Sequence, residues 1–463
     1  MIQLLVALFM LGVGVISPAQ SPTNECLLQP VTQAEIDGWL PELTASLEKS
    51  TGRSFAAPPR VKVVAIEGLA DALQPAILAR RRQTLRNVDD IENVRESIRL
   101  AKSRASKRFS HYVRQDRTIY IVADGAARVP GLASLKAEER TPVFKLCVVY
   151  EMAAALLHQE KVESEEDIKP EDFERAVAVS AVSTGAMLFM TRRASADLGI
   201  AAAMEQFDRY RKFELPQESE AKPLQDLFIK GEEFINHHFK AGGAEGVWAV
   251  LHHLPRTERE IRQPGWKPAG GDQKLPDFKP AADRVQALFQ APWDSFQVEV
   301  SETLIGSFLT GMEPEDSEAL LKSGVGGRLV MGRLDQPRQM LACAFVHVGD
   351  RTKIKSYIDS IRTRTEAKLT RMKSLGGTCT DVTVEQLGEV VGDHCLRVRF
   401  DAALGGQKVQ EETLVVARGQ TIIEVNAIAP SVDRQQVLDV LRAALNEEPK
   451  APAGDKEAKP GTP

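Results

Sequence analysis

The residues Tyr150-Glu151-Met152-Ala153-Ala154 lie within a predicted helix that covers about residues 141–158. On a helix, side chains four residues apart share a face. The pattern His-Glu-x-x-His therefore presents two imidazoles to one Zn²⁺ and a carboxylate to the zinc-bound water. In this chain the carboxylate of Glu151 is present, but Tyr150 and Ala154 occupy the two ligand positions. This pattern is weak by itself, because a glutamate followed by alanines is common in helices.

Three further segments follow in order along the chain. Residues 181–187 (AVSTGAM) are similar to a Glu-Gly-x-Ala segment, with Thr184 at the position of the glutamate. Residues 228–234 (FIKGEEF), with Gly242-Gly243 after them, are similar to a Gly-x-x-Phe helix that ends in a Gly-Gly break. Residues 255–264 (PRTEREIRQP) are similar to a segment that ends in Ile-x-His-Pro, with a glutamine in place of the histidine.

In order and spacing, these segments resemble the zincin-like bacterial peptidases of the glutamate-ligand (gluzincin) type over roughly residues 60–267. Degenerate forms of two later family segments follow at residues 303–306 and 324–327. The resemblance implies a small sheet with the Tyr150-Glu151 helix packed beneath it. It also implies that Tyr150, Ala154 and Thr184 stand at the three zinc-ligand positions.

These residues predict that the zinc has been lost. A catalytic zinc ion needs about three protein ligands and a water molecule whose pKa it lowers. Alanine has no donor atom, a neutral threonine is a poor ligand, and tyrosine coordinates zinc rarely. Without the metal, Glu151 has no activated water and becomes a vestigial general base. We therefore predict no metal and no cofactor, and expect Glu151 to be a helix carboxylate with a hydrogen-bonding partner.

The preferred interpretation is an exported pseudopeptidase, a catalytically inactive relative that keeps the cleft of the fold for an unknown peptide or protein partner. Function belongs to sites and not to folds, so two alternatives stay open. One is an active metal-dependent hydrolase that uses Glu151 with ligands not recognised in the sequence. The other is a structural, envelope-associated protein in which the C-terminal domain does the work.

The histidines offer little for a replacement metal site. His237-His238 and His252-His253 are adjacent pairs, and neighbours on a helix point about 100° apart, so neither pair can chelate one ion. One histidine from each pair could meet across two packed helices, although surface or cap positions are the simpler expectation. His111 is predicted on a charged helix, and His158 lies two turns beyond Tyr150.

Composition indicates a globular protein of two or three domains. The 463 residues are 43% hydrophobic and 27% charged, with a net charge of −5 and both signs interspersed. An extended basic face for nucleic acid is therefore not expected. Residues 1–16 are uncharged and are followed by Ser17-Pro18-Ala19, which predicts a cleaved signal peptide over residues 1–19 and a secreted or periplasmic protein. We expect no integral membrane segment after the signal is removed.

The predicted fold class is α+β. A zincin-like domain is expected at residues 25–267, a linker rich in Gly, Pro and Lys at 268–280, a second α+β domain with mainly antiparallel strands at 281–447, and a disordered tail at 448–463. Strands are predicted at residues 60–66, 117–122, 296–300, 327–333, 340–348, 395–400, 411–417 and 421–428. Helices are predicted at residues 141–158, 170–193, 224–239, 244–253, 351–372 and 432–445, with one or two solvated helices between 73 and 112. Cys379 and Cys395 flank a predicted hairpin and could form a disulfide, or remain separate buried thiols.

Overall fold

The computed structural model describes residues 30–84, 90–169, 172–214, 222–265, 276–290, 293–300, 305, 309, 312–322, 325–334, 339–374, 377–386, 394–404 and 407–446. The chain divides into two compact units. Unit 1 comprises residues 1–273 with 298–310, and unit 2 comprises residues 274–297 with 311–463. The predicted signal peptide, the predicted tail and most of the predicted linker lie outside the described residues. Of the two later family segments, residues 303, 304, 306 and 324 also lie outside them, whereas residues 325–327 are part of a strand.

Unit 1 is mainly helical, with a small sheet. Its helices are α1 (Gln33–Thr51), α2 (Ile66–Thr84), α3 (Asp90–Ala105), α4 (Gly125–Arg128), α5 (Pro130–Ala133), α6 (Ala137–Gln159), α7 (Phe173–Asp197), α8 (Met204–Glu214), α9 (Lys222–Leu251) and α10 (Glu258–Arg262). Its strands are β1 (Arg60–Val64), β2 (Ser110–Val113) and β3 (Thr118–Val122). Helix α9 is kinked, because Gly242 and Gly243 have non-helical backbone angles.

The sheet of unit 1 has the order β1-β3-β2. Strand β3 runs parallel to β1 and antiparallel to β2, and all five of its residues are buried.

Local sequence fixes the start of α1: the Thr32 hydroxyl accepts from the Glu35 amide while the Glu35 side chain accepts from the Thr32 amide. This reciprocal cap satisfies two amide groups that the first helical turn leaves without partners.

Helices α7 and α9 cross in backbone contact. A Cβ atom added to Gly185 would lie 2.2 Å from the carbonyl carbon of Gly231, and one added to Gly231 would lie 2.1 Å from the carbonyl oxygen of Ala181. No real side-chain atom tolerates such distances, so the crossing requires glycine at both positions. The glycines of the two segments at 181–187 and 228–234 therefore meet each other and have a packing role.

Unit 2 is built around an antiparallel sheet. Its strands are β4 (Asp294–Val300, of which residues 298–300 are assigned to unit 1), β5 (Val325–Leu334), β6 (Gln339–Val348), β7 (Thr378–Cys379), β8 (Thr383–Gln386), β9 (His394–Leu404), β10 (Gln407–Arg418) and β11 (Thr421–Ala429). Its helices are α11 (Lys279–Gln286), α12 (Pro314–Lys322), α13 (Ile354–Ser374) and α14 (Arg434–Leu445). The strand order is β4-β5-β6-β11-β10-β9-β7, with β8 also paired to β9.

The two faces of this sheet carry different interactions. On one face, α11 and α14 pack on an apolar cluster that includes Phe345, Leu414 and Val425. On the other face, α13 contributes a polar network. The Tyr357 hydroxyl donates to Glu424 at 2.7 Å, and Arg364 reaches the same carboxylate oxygen at 3.1 Å. Such a buried carboxylate is tolerated because it is paired and hydrogen-bonded.

The prediction of an α+β protein with a mainly antiparallel sheet in its second half is confirmed. The predicted strands and helices are present with shifted ends, and the predicted Gly-Gly break falls within α9. The prediction of one or two solvated helices between residues 73 and 112 is only partly confirmed. This stretch forms α2 and α3, but it also contains β2, and Arg81 is 2% exposed and donates to Asn93 at 3.2 Å.

The disulfide between Cys379 and Cys395 does not form. Cys379 of β7 pairs with Ala402 of β9, whereas Cys395 lies seven residues away at the other end of that strand. Seven residues of strand span about 23 Å, far beyond the reach of a disulfide. The alternative of separate thiols is therefore the correct one.

Two helices, α6 and α7, are long and apolar enough to cross a membrane by length and composition alone. The sequence had suggested no such segment after the signal peptide. In the most apolar 18-residue segment of each helix, 72% of α6 and 61% of α7 is buried inside the protein. The core helices of a soluble protein show the same burial. The absence of a membrane segment therefore stays a prediction.

We expect Gly185→Ala to lower the free energy of unfolding by about 3 kcal/mol, because the new methyl group meets the α9 backbone and the two helices must move apart. Gly38→Ala is the matched control. Gly38 lies in α1, and a Cβ atom there would meet no atom within 4 Å. That substitution should stabilise the protein by about 0.5–1 kcal/mol, since glycine is a poor helix former. Urea denaturation of both variants measures the difference, and equal effects would contradict the close crossing.

Candidate functional site

Helix α6 is apolar on almost all sides and carries a single buried carboxylate in its middle. Glu151 is 4% exposed. Its Oε2 accepts a hydrogen bond from the backbone amide of Tyr112 at 2.8 Å, and its Oε1 lies at a longer 3.5 Å from the Ser110 hydroxyl. Glu151 therefore has the hydrogen-bonding partner that the sequence led us to expect, and this partner belongs to β2.

The Tyr112 amide is available because β2 is at the end of the sheet order. The Phe109 carbonyl accepts a hydrogen bond from the Val122 amide at 2.8 Å. This bond shows which residues of β2 turn their backbone groups toward β3. In an antiparallel pair, every second residue turns its backbone groups away from the neighbouring strand. Ser110 and Tyr112 are those residues on β2, so their backbone groups face α6. The Glu151 carboxylate satisfies one amide of this edge strand.

Tyr150 lies next to Glu151 on the helix but faces a different element. Its hydroxyl accepts from Arg211 Nη2 at 2.7 Å, and the Arg211 guanidinium carbon lies 4.1 Å from the centre of the Tyr150 ring. The Phe207 ring packs against it with centroids 5.9 Å apart. Both neighbours come from α8. The guanidinium group thus makes a cation–π contact and a hydrogen bond with the same side chain.

The residues at the implied zinc-ligand positions do not fit the metal. A guanidinium group already bonds the Tyr150 hydroxyl and would repel Zn²⁺ there. Ala154 is half-buried and has no donor atom, and Thr184 is a half-buried hydroxyl on α7. Among the described residues, no group of three or more His, Cys, Asp or Glu side chains is placed to hold a metal ion.

Basic side chains surround His111, which lies on β2 and not on the charged helix that the sequence suggested. Arg108 Nη1 lies 2.6 Å from His111 Nδ1. Burial lowers the pKa of His111 well below its usual range, and the positive charges of Arg108, Arg104 and Arg211 lower it further. Burial also lowers the pKa of Arg104, as does the charge of Arg108. The imidazole is therefore neutral at pH 7.

The other histidines have structural partners. His158 Nδ1 lies 2.8 Å from the Tyr112 hydroxyl, and burial lowers the pKa of His158. His252 Nδ1 lies 2.8 Å from the Trp248 carbonyl oxygen, consistent with a helix-end position. The rings of His237 and His238 are 5.3 Å apart and nearly perpendicular. These positions give no support to a metal site formed by one histidine from each pair.

The remaining motif positions are also accounted for by local structure. Thr257 caps α10 by accepting from the Glu260 amide at 3.4 Å, and the Glu260 side chain accepts from the Thr257 amide in return. Gln263, at the position of the family histidine, follows this short helix and is exposed. The segment at residues 255–264 therefore has the composition of a capped helical turn.

No protein-family model matches this chain, and no curated protein matches it. A solved structure with some likeness is that of a Chloroflexus aurantiacus protein with a novel fold, provisionally described as a hydrolase. The two share 16% sequence identity and a TM-score of 0.35, and the alignment covers 52% of this chain and 92% of the other. A likeness of this size carries no argument about family or activity.

Sequence reasoning missed Arg108 and Arg211 as members of the site. Arg108 follows a charged helix, and Arg211 lies 61 residues beyond Tyr150, so no spacing rule connects them. The one signal available was the placement of an arginine next to an aromatic residue, Tyr210-Arg211, within the amphipathic helix α8. Only the packing of α8 on α6 turns that signal into a contact.

Glu151→Ala should lower the free energy of unfolding by about 2–4 kcal/mol, because it leaves the buried Tyr112 amide without its acceptor. Glu151→Gln should cost at least about 1.5 kcal/mol less, since the amide oxygen can still accept that hydrogen bond. Glu138→Ala, at an exposed position of the same helix, should change stability by about 0.5 kcal/mol at most. Urea denaturation provides the test. If Glu151→Ala costs no more than Glu138→Ala, the carboxylate does not hold the strand.

His111 should make the fold less stable at mildly acidic pH. Its pKa is lowered in the folded protein, so below about pH 6.5 the unfolded chain takes up a proton that the folded chain does not. The stability contributed by the neutral ring is therefore lost as pH falls, by at most about 1.4 kcal/mol per pH unit. His111→Gln, which retains an acceptor for Arg108, should flatten the decline between pH 6.5 and 5. Identical slopes in urea titrations of the two proteins would contradict this assignment.

Proposed function

We propose that this protein is an exported, catalytically inactive relative of the zincin-like peptidases that binds a peptide or protein through unit 1. The proposal retains the expectations of a signal peptide, a secreted or periplasmic location, no zinc, no nucleic acid partner and no membrane segment after signal removal. Its fold component is a zincin-like unit in which α6 lies beneath the small sheet. Support for this component comes from the packing of α6 against β2.

One observation carries the functional proposal. The carboxylate of Glu151 is occupied by the Tyr112 amide, while a guanidinium group bonds the neighbouring Tyr150. A general base needs a reacting proton within hydrogen-bond reach, and a zinc-dependent base needs a metal-bound water. Here the carboxylate binds the edge strand and a positive charge covers the first ligand position. This arrangement favours a structural role for Glu151 over a catalytic one.

The other proposals have weaker support. An active metal-dependent hydrolase would need ligands other than Tyr150, Ala154 and Thr184, and the described residues offer no suitable group. An envelope-associated structural protein acting through unit 2 has no specific observation in its favour. The hydrolase enters as an outcome of the first experiment below.

The first experiment measures zinc in the purified mature protein by mass spectrometry after dialysis against trace zinc. We expect less than about a tenth of an equivalent, because a stable zinc site needs three or four suitable ligands. The same sample should not cleave casein. Zinc near one equivalent, together with cleavage that Glu151→Gln abolishes, would establish the hydrolase instead.

A second experiment tests the resemblance itself. We expect the variant Tyr150→His, Ala154→His, Thr184→Glu, with Arg211→Gln to remove the nearby charge, to bind about one equivalent of zinc, because it restores two histidines one turn apart and a third ligand. The same variant without Thr184→Glu is the matched control and should bind zinc more weakly. If the full variant keeps the wild-type circular dichroism spectrum but binds no zinc, the zincin-like assignment is wrong.

A further inference from the structure

Three arginines from different parts of the chain surround His111 on β2. Arg104 lies in the last turn of α3, Arg108 follows that helix, and Arg211 comes from α8. Arg108 is fixed by its 2.6 Å contact with His111, and Arg211 is fixed by its 2.7 Å hydrogen bond to Tyr150. We call these three arginines with His111 the arginine cluster. All four side chains are half-buried, so the cluster can be reached from solvent.

The cluster produces a positive potential at one point. Charges interact more strongly as they come closer, and all three guanidinium groups act on the His111 ring. Because Arg108 donates to Nδ1 of the neutral ring, the proton of His111 is on Nε2. The ring therefore adds a hydrogen-bond donor to a site that already contains three positively charged donors.

Two of these guanidinium groups are not neutralised by a direct ion pair. Among the described residues, neither Arg104 nor Arg108 forms one, and the acidic side chains that act on Arg104 are those of Glu165 and Glu166. Half-buried charges usually have a partner of opposite sign, because removal from water is costly. An external anion would supply that partner.

We propose that the arginine cluster binds a carboxylate group of the peptide ligand, so this inference rests on the proposed function. An arginine fork matches the two oxygens of a carboxylate and can bind both. A monoanion suits the site better than a phosphate dianion, because the Glu151 carboxylate binds the residue that follows His111 on β2 and repels added negative charge. The positive charge that zinc would provide in a peptidase is thus provided by arginine.

The probe is sodium acetate, compared with sodium chloride at equal ionic strength. Nuclear magnetic resonance of ¹⁵N-labelled histidine follows His111, whose signal is identified by its loss in His111→Gln. Acetate should shift this signal saturably and raise the pKa of His111, because a nearby anion favours the charged imidazolium. Acetyl-trialanine with a free carboxylate should do the same, and its C-terminal amide should not.

The variants make the assignment specific. Arg108→Gln can still donate to His111 but lacks the charge, and it should weaken acetate binding by at least about tenfold. Arg362→Gln is the control, since Arg362 is an exposed arginine paired with Glu366 on α13, and it should bind acetate like the wild type. A shift that is equal in chloride, or equal affinity in Arg108→Gln, would overturn the carboxylate site.

A further experiment measures the binding of inorganic phosphate in the same way. Phosphate that binds more than about tenfold more tightly than acetate would overturn the carboxylate assignment, because a monoanion would then not be the preferred ligand. Zinc content and cleavage are measured on the same sample. A protein that binds zinc and cleaves casein contradicts the proposed function, whereas a zinc-free, inactive protein that does not bind acetate contradicts this inference alone.

Discussion

The hydrogen bond between the Tyr112 amide and the Glu151 carboxylate joins the edge of the small sheet to the central helix of unit 1. A carboxylate buried in an apolar helix is costly unless hydrogen bonds compensate for the lost water. The bond therefore fixes which face of α6 meets β2. Once that face is fixed, helical geometry directs Tyr150 toward α8, about 100° away. The position of Arg211 over the Tyr150 ring follows from the same constraint.

This constraint links stability to the proposed function. A carboxylate that accepts a hydrogen bond from an edge strand is engaged in the fold, and the proposed function therefore assigns Glu151 a structural role. Positive charge is nevertheless present around His111, the residue before Tyr112 on β2, as the guanidinium groups of the arginine cluster. A cation held by the protein itself can bind an anion, but it does not activate water as a metal does. Binding without turnover is the role that we propose for this arrangement.

The crossing of α7 and α9 shows how a resemblance and a packing rule can share the same residues. Gly185 and Gly231 belong to two of the segments similar to zincin-like peptidases, and each is also required by the contact between the helix backbones. Glycine at a close crossing is expected in any helical protein with this geometry. The zinc-restoring variant separates the two explanations, because packing alone would not bring three ligands to one point.

The sequence by itself determined the α+β class, the antiparallel second half, the Gly242-Gly243 break and the absence of zinc-binding atoms at Ala154, since these depend on local periodicity and on side-chain chemistry. Tertiary structure decided what depends on distance between remote residues. It placed His111 on a strand and brought Arg211 onto Tyr150. It also paired Cys379 with Ala402, which lies seven residues from Cys395 along β9. Local patterns carry no information on such contacts, because strand register and helix packing are set by the whole core.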